Sequence, residues 1–223
     1  MGGPVRQALR IAVAQPRCVA HAVAENAVTH AELIRTAGAR VVVFPEMSLT
    51  GYELDAEVIA PHDDRLAPII AACARARTIA LVGAPVPGPH IGVLAVDHRG
   101  ASVLYRKVYL HDSESDRFRP GEPAVLEVDG WRLGLAVCRD TGISEHAERT
   151  AALGIDGYVA GVVHSADQVG LHGERARRVA AAADRLGDDL AHGHSGVLPN
   201  PVVEPDVVAE GALDRPLDVF RAR

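Results

Sequence analysis

Three residues with complementary chemistry, Glu46, Lys107 and Cys138, each follow a segment with the apolar pattern of a β-strand. A carboxylate can take the proton of a thiol, and the thiolate can then attack a carbonyl or nitrile carbon. An ammonium group stabilises the charge that develops on the oxygen or nitrogen. The residue types therefore predict nucleophilic catalysis, with Cys138 as nucleophile and Glu46 as base. Taken alone, Cys138 is more typical of a small core residue.

Lys107 is the one lysine among 23 basic residues, and the other 22 are arginine. Lysine carries a compact charge whose pKa responds to its surroundings, whereas the planar guanidinium of arginine stays protonated. A lone lysine in such a chain indicates a position that arginine could not fill. Chance placement is the alternative.

Glu46 follows the continuous apolar run 41–44 and Pro45, which cannot extend a β-ladder. A carboxylate at the end of a buried strand is partly desolvated, which raises its pKa and makes it a usable base. The alternatives are a helix-capping acid or a solvated loop charge. The turn-like residues 48–52 disfavour the helix cap.

The elements that must position these residues alternate between strand and helix patterns, which is typical of an α/β fold. Strand ends in such a fold can converge on one site. Strands are predicted at residues 10–15, 41–44, 78–83, 91–96, 101–105, 125–128, 132–137 and 157–163, and helices at 20–36, 61–76, 144–153 and 174–186, with a proline-rich loop at 85–89.

Composition limits the class of protein. The 223 residues are 48% hydrophobic, enough for one substantial core. The net charge of −6 argues against nucleic acid as a partner, and no 18-residue apolar run predicts a membrane span. The first residues lack the apolar region of a signal peptide, so a cytoplasmic protein is expected. The three cysteines form no C-x-x-C pair, so neither a disulfide framework nor a zinc knuckle is indicated.

Three blocks of the sequence resemble the signatures of the nitrilase superfamily of carbon–nitrogen hydrolases. They are FPEMSLTGY at 44–52, YRKVYL at 105–110 and GLAVCRD at 134–140. Their order and spacing agree with that family, with 61 residues from Glu46 to Lys107 and 31 more to Cys138. The resemblance extends over about residues 10–165, and agreement of three separate blocks is far more specific than any one.

This resemblance implies a four-layer αββα sandwich and a single carbon–nitrogen hydrolase domain over residues 1–223. It implies hydrolysis of a small amide, a carbamoyl compound or a nitrile through a Cys138 thioester with release of ammonia, without cofactor or metal. Homodimers or larger homo-oligomers are expected. By resemblance, Glu114 positions Lys107 or shares in proton transfer, although a solvated loop acid is the alternative. The backbone N–H of Arg139 is the expected oxyanion donor.

Two further residues, Arg139 and His164, follow strand ends and are predicted to bind substrate, Arg139 through a substrate carboxylate. Solvent-facing side chains are the alternative for both. Residues 187–223 depart from the family pattern, because they are short, charged and proline-rich, and we hypothesise a shortened C-terminal part. A turn is expected at 193–196, and strands are hinted at in 201–203 and 206–209.

Other functional classes fit less well. A serine hydrolase is rejected, because Ser195 lacks a complete G-x-S-x-G motif and no histidine follows it. A metal-dependent hydrolase would rely on His192 and His194, which are interpreted as surface residues. The strongest alternative is a catalytically impaired nitrilase-like binding or scaffold subunit, which the unusual C-terminal part favours and the three intact blocks disfavour.

Overall fold

Two β-sheets lie face to face between layers of helix in the computed structural model, which describes residues 7–163, 191–194 and 206–213. The strands are β1 (Leu9–Gln15), β2 (Val41–Val43), β3 (Ile79–Val86), β4 (His90–Asp97), β5 (Gly100–Arg106), β6 (Val125–Val128), β7 (Trp131–Val137), β8 (Gly157–Gly161), β9 (Ala191–His194) and β10 (Asp206–Leu213). The helices are α1 (Val23–Thr36), α2 (Ala67–Ala76), α3 (Asp112–Ser115) and α4 (Ser144–Ala151).

The first sheet has the strand order β10-β1-β2-β3-β4-β5, and the second has the order β6-β7-β8-β9. Strands β1, β2 and β3 run parallel, as do β7, β8 and β9. The other pairings are antiparallel. Because β2 and β7 lie inside their sheets, each can deliver the residues that follow it to the interior.

The apolar patterns explain the layers. Val41, Val42 and Val43 are all buried because β2 has the second sheet on one face and helices α1 and α2 on the other. In β7, Leu133 and Leu135 point into the core between the sheets, while the intervening Gly134 lies against helix α4 and its C-terminal turn. The predicted α/β sandwich is confirmed.

Several boundaries differ from the sequence predictions. Helix α2 begins at Ala67, later than predicted, after a short 3₁₀ turn at Asp64–Leu66. The proline-rich loop was predicted to begin at Pro85, yet Pro85 continues β3. Its carbonyl accepts a hydrogen bond from Ile59 N on the side away from β4, so the missing N–H breaks no ladder bond.

The residues of the C-terminal part that the structure describes, 191–194 and 206–213, form one strand in each sheet. Strand β10 contains the predicted strand 206–209 and pairs with β1, and β9 occupies residues 191–194, where a turn was expected at 193–196. The predicted helix 174–186 and strand 201–203 lie outside the described residues. The shortened C-terminal part and the single domain over 1–223 stay predictions.

Candidate active site

Glu46 lies in a sharp turn at the end of β2. The last ladder bond is Phe44 N to Leu81 O at 2.9 Å, and Pro45 has no N–H to continue it. Met47 then takes a left-handed backbone conformation with φ 48°, which reverses the chain. Glu46 is buried in this turn, with 1% of the residue exposed.

The backbone of this turn packs closely against strands β3 and β8 and is hydrogen-bonded to helix α1. A Cβ on Gly83 would lie 2.2 Å from Pro45 O, and a Cβ on Gly161 would lie 2.7 Å from Phe44 O, so only glycine allows the close approach. On the helix side, Asn26 Nδ2 donates to Leu49 O at 3.0 Å. The backbone around Glu46 is therefore fixed from several directions.

Lys107 follows β5 directly and is completely buried. Its Nζ donates to Glu46 Oε1 at 2.7 Å and to Glu114 Oε1 at 2.8 Å. Helix α3 positions Glu114, whose Oε2 accepts a hydrogen bond from His111 N at 2.8 Å. The lone lysine thus lies between the two glutamates that the sequence singled out.

Cys138 begins a 3₁₀ turn immediately after β7. Its φ of 44° is a left-handed conformation that a non-glycine residue adopts only when its surroundings enforce it. The hydroxyl of Thr141 closes the turn by donating to Cys138 O at 2.7 Å. The sulfur lies 3.6 Å from Val163 O and interacts electrostatically with Lys107.

Burial controls the electrostatics of the cluster. It raises the pKa of Glu46 to about 7, although the Lys107 ammonium opposes that rise. Burial also acts to lower the pKa of Lys107, but Glu46, Glu114 and the Cys138 sulfur together outweigh it, and that pKa is raised. Lys107 therefore stays protonated near neutral pH, while Glu46 can take up and release a proton there.

One oxygen of this cluster is unused. Among the described residues, Glu46 Oε2 is the one buried side-chain oxygen or nitrogen without a hydrogen-bond partner. A buried acceptor without a donor costs folding free energy, so such an atom is typical of a site that binds or transfers a proton during function.

Of the two residues predicted to bind substrate, Arg139 and His164, the structure describes only Arg139. Arg139 is partly buried, and its Nη1 lies 3.2 Å from Nδ1 of His111, the residue that donates to Glu114. This contact places Arg139 beside the N-terminus of helix α3, which carries Glu114. His164 lies outside the described residues.

Tyr52 is a neighbour of the cluster for which the sequence predicted no role. Burial raises the pKa of its hydroxyl, and the charges of Glu46, Glu114 and Cys138 add to that rise, so the hydroxyl lies within electrostatic range of all three. Tyr52 closes the same sequence block that contains Glu46, and that shared block was the available signal.

One group of side chains in the described ranges could hold a metal ion, formed by His21, Glu53 and Asp55. His21 and Asp55 are exposed, and the group contains none of the predicted site residues. Within the same ranges, none of the helices is both long and apolar enough to cross a lipid bilayer.

A model of the carbon–nitrogen hydrolase family matches residues 10–183. The chain belongs to this family. The resemblance to the nitrilase superfamily that the three blocks indicated is thereby confirmed.

Two curated proteins are similar in sequence to part of this chain. The "Hydrolase in pqqF 5'region" of Pseudomonas protegens is 34% identical over 140 residues, which cover 57% of this chain and 49% of the relative. The "Glutamine-dependent NAD(+) synthetase" of Aquifex aeolicus is 31% identical over 125 residues, covering 51% of this chain and 22% of the relative. The chain therefore spans about half of the first relative and about a fifth of the second.

Solved structures of the same superfamily share the fold. An amidase from Nesterenkonia sp. AN1, studied in complex with butyramide, matches with a TM-score of 0.71 and 24% identity over 92% of this chain and 82% of that one. A CN-hydrolase superfamily protein from Xanthomonas campestris, with an arsenic adduct in its active site, matches with a TM-score of 0.72 and 18% identity. The match covers 92% of this chain and 82% of that one.

Proposed function

We propose that this hydrolase-family chain cleaves the C–N bond of a small amide through a thioester on Cys138 and releases ammonia. The observation that carries the proposal is the unpartnered Glu46 Oε2, in a carboxylate whose other oxygen is hydrogen-bonded to Lys107. That oxygen is a proton acceptor with a pKa near 7 in a cluster that also contains a thiol.

In the first half of the reaction, Glu46 accepts the Cys138 proton as the sulfur attacks the carbonyl carbon. A C–S bond forms, and the carbonyl electron pair moves onto oxygen. The Lys107 ammonium has three N–H donors, of which two go to Glu46 and Glu114. The third donor, together with the backbone N–H of Arg139, is our assignment for stabilising the oxyanion.

In the second half, the C–N bond breaks and the protonated Glu46 gives its proton to the leaving nitrogen, which departs as ammonia. Glu46 then takes a proton from water, which attacks the thioester carbon. The C–S bond breaks as Glu46 returns that proton to the departing sulfur, so the products are a carboxylic acid and the free thiol, and Glu46 is again ionised. Glu114 keeps Lys107 charged and oriented throughout, because its oxygen stays within hydrogen-bonding distance of the ammonium.

Substrate selection is assigned to Arg139, with His164 as a second predicted contact. Arg139 carries a positive charge beside the loop that follows Lys107, and a guanidinium binds a carboxylate in bidentate fashion. An amide with a carboxylate at its far end is therefore the preferred substrate class. The curated relatives include a glutamine-dependent synthetase, and glutamine contains both an amide and a carboxylate.

The test is ammonia release from a panel of primary amides, N-carbamoyl amino acids and nitriles. Wild type is compared with Cys138→Ala and, as a matched control, Cys18→Ala. Cys18 is a suitable control because burial raises the pKa of its thiol to about 12. We expect release that disappears only in the Cys138 variant.

Equal release by the Cys138→Ala variant would refute the proposal. Silence of the folded wild type across the whole panel would instead favour a binding or scaffold subunit.

A further inference from the structure

Four buried polar side chains, none of which takes part in the proposed reaction, form a hydrogen-bonded chain that ends beside Cys138. Tyr158, His146, Tyr105 and Asp140 are each at most 4% exposed. The hydroxyl of Tyr158 lies 2.8 Å from His146 Nδ1, and His146 Nε2 lies 2.8 Å from the Tyr105 hydroxyl. That hydroxyl in turn lies 2.7 Å from Asp140 Oδ2.

The chemistry of the groups fixes the direction of this chain. An ionised Asp140 can only accept, so the Tyr105 hydroxyl donates its single proton to it. Tyr105 must then accept from His146 Nε2, which leaves His146 Nδ1 to accept from Tyr158. Burial lowers the pKa of His146, in agreement with a neutral ring that donates once and accepts once.

Asp140 also holds two backbone N–H groups. Its Oδ2 accepts from Val137 N at 2.9 Å, directly before Cys138. Its Oδ1 accepts from Tyr109 N at 2.8 Å, two residues after Lys107. Since Tyr105 lies two residues before Lys107, the same carboxylate is bonded to the chain on both sides of the lysine and to the residue preceding the cysteine.

We propose that Asp140 is a positioning residue that sets the Lys107 ammonium against the Cys138 sulfur, and that Tyr105 and His146 hold its carboxylate in the required orientation. The inference rests on the proposed function for its consequence in turnover. The geometric part is independent of turnover, because the reactivity of Cys138 toward an alkylating reagent can be measured without a substrate.

The two tyrosines of this hydrogen-bonded chain allow a matched pair of variants, Tyr105→Phe and Tyr158→Phe. Both remove one hydroxyl from a buried tyrosine, both remove a hydrogen bond of 2.8 Å to a ring nitrogen of His146, and neither changes a charge. After Tyr158→Phe, His146 Nδ1 keeps the Thr150 hydroxyl as a neighbour at 3.5 Å. Only the first removes a hydrogen bond to Asp140. A purely structural role would therefore lower the melting temperature of both variants and leave the reactivity of Cys138 unchanged in both.

The first measurement is the rate of Cys138 alkylation by iodoacetamide as a function of pH, read by mass spectrometry of the Cys138 peptide. For Tyr105→Phe we expect the pH of half-maximal rate to rise by about half a unit or more, because the thiolate loses part of its stabilisation by Lys107. For Tyr158→Phe we expect the wild-type profile. Identical profiles for the two variants, shifted or not, would overturn the proposal.

The second measurement uses Asp140→Asn on an amide that wild type hydrolyses. We expect kcat to fall by about 10- to 100-fold with KM nearly unchanged, since the loss affects the geometry of the reacting groups. A loss confined to KM would overturn the proposal. If the Asn variant does not fold, or no amide is hydrolysed, the alkylation profiles of the tyrosine pair decide the inference alone.

Discussion

Replacing Gly83 by alanine tests whether the backbone position of Glu46 governs activity. The added Cβ would lie 2.2 Å from Pro45 O and 2.5 Å from Met47 N, both backbone atoms of the turn that carries Glu46. Ordinary contact begins at 3.4 Å, so the turn must move by about 1.2 Å at Pro45. A displacement of about 1 Å in a reacting group costs up to about 100-fold in rate.

The matched control is Gly134→Ala, in the strand that leads to Cys138. Its Cβ would meet side-chain atoms of Thr150 and Ile155 at 2.5 and 2.6 Å, so overpacking occurs on the helix-covered face of the sheet. Both variants should lose about 1–3 kcal/mol of stability in thermal or urea unfolding. Only Gly83→Ala should lose kcat, by about 10- to 100-fold.

The assay is ammonia release at saturating substrate, with folding monitored by circular dichroism. Full activity in a folded Gly83→Ala variant would refute the reasoning that a rigid Glu46 turn is required. Equal loss of activity in both variants would show that general destabilisation, and not the position of Glu46, causes the loss.

Three further predictions concern the charged groups. Because the pKa of Glu46 is raised to about 7 and the base must be ionised, kcat/KM should rise as pH increases through about 7, and Glu46→Gln should lose about 10²–10⁴ in rate; a flat pH profile would contradict this. Lys107→Met should lower kcat by about 10²–10³ and shift that rise to higher pH, because Glu46 then faces Glu114 without an intervening cation; an unchanged profile counts against it. Arg139→Gln should raise KM about tenfold for an amide that carries a carboxylate and leave KM for a neutral amide unchanged, which steady-state kinetics on the two substrates decides.

Much of the fold was predictable because most of its strands have an apolar pattern that is visible in the local sequence. The run at Val41–Val43 is apolar and β-branched, which is typical of a strand covered on both faces, and it lies in the centre of the first sheet. The run before Cys138 is also apolar, and its strand β7 lies between two other strands of the second sheet. Pro85 was misplaced because the sequence does not reveal on which side of a strand the missing N–H will fall.

The candidate site was partly predictable for a different reason. Glu46, Lys107 and Glu114 stand out by residue type, by the rarity of lysine and by resemblance, and the fold brings them into hydrogen-bonding contact. Tertiary structure alone reveals the hydrogen-bonded series from Tyr158 through His146 and Tyr105 to Asp140. Tyr105 opens the block YRKVYL and Asp140 closes the block GLAVCRD, but Tyr105 and His146 are 41 residues apart, and no local pattern indicates that His146 joins them.

The strand predictions after residue 186 depended on weak local signals. Strand β10 pairs with β1, almost 200 residues earlier in sequence, and contacts of that range leave no periodic trace in either segment. The residues of β9 contain two glycine-adjacent histidines, which favour a turn on local grounds, whereas parallel pairing with β8 makes them a strand.

The most direct test of the account is to trap the acyl group on Cys138. Wild type is mixed with an amide that it hydrolyses, quenched in acid within milliseconds to seconds, and digested for mass spectrometry. We predict that the Cys138 peptide gains the mass of the acyl group minus one hydrogen, that the adduct disappears on treatment with hydroxylamine, and that Cys138→Ala shows neither adduct nor ammonia. Ammonia release without any adduct on Cys138, or undiminished release by the alanine variant, would contradict the central claim.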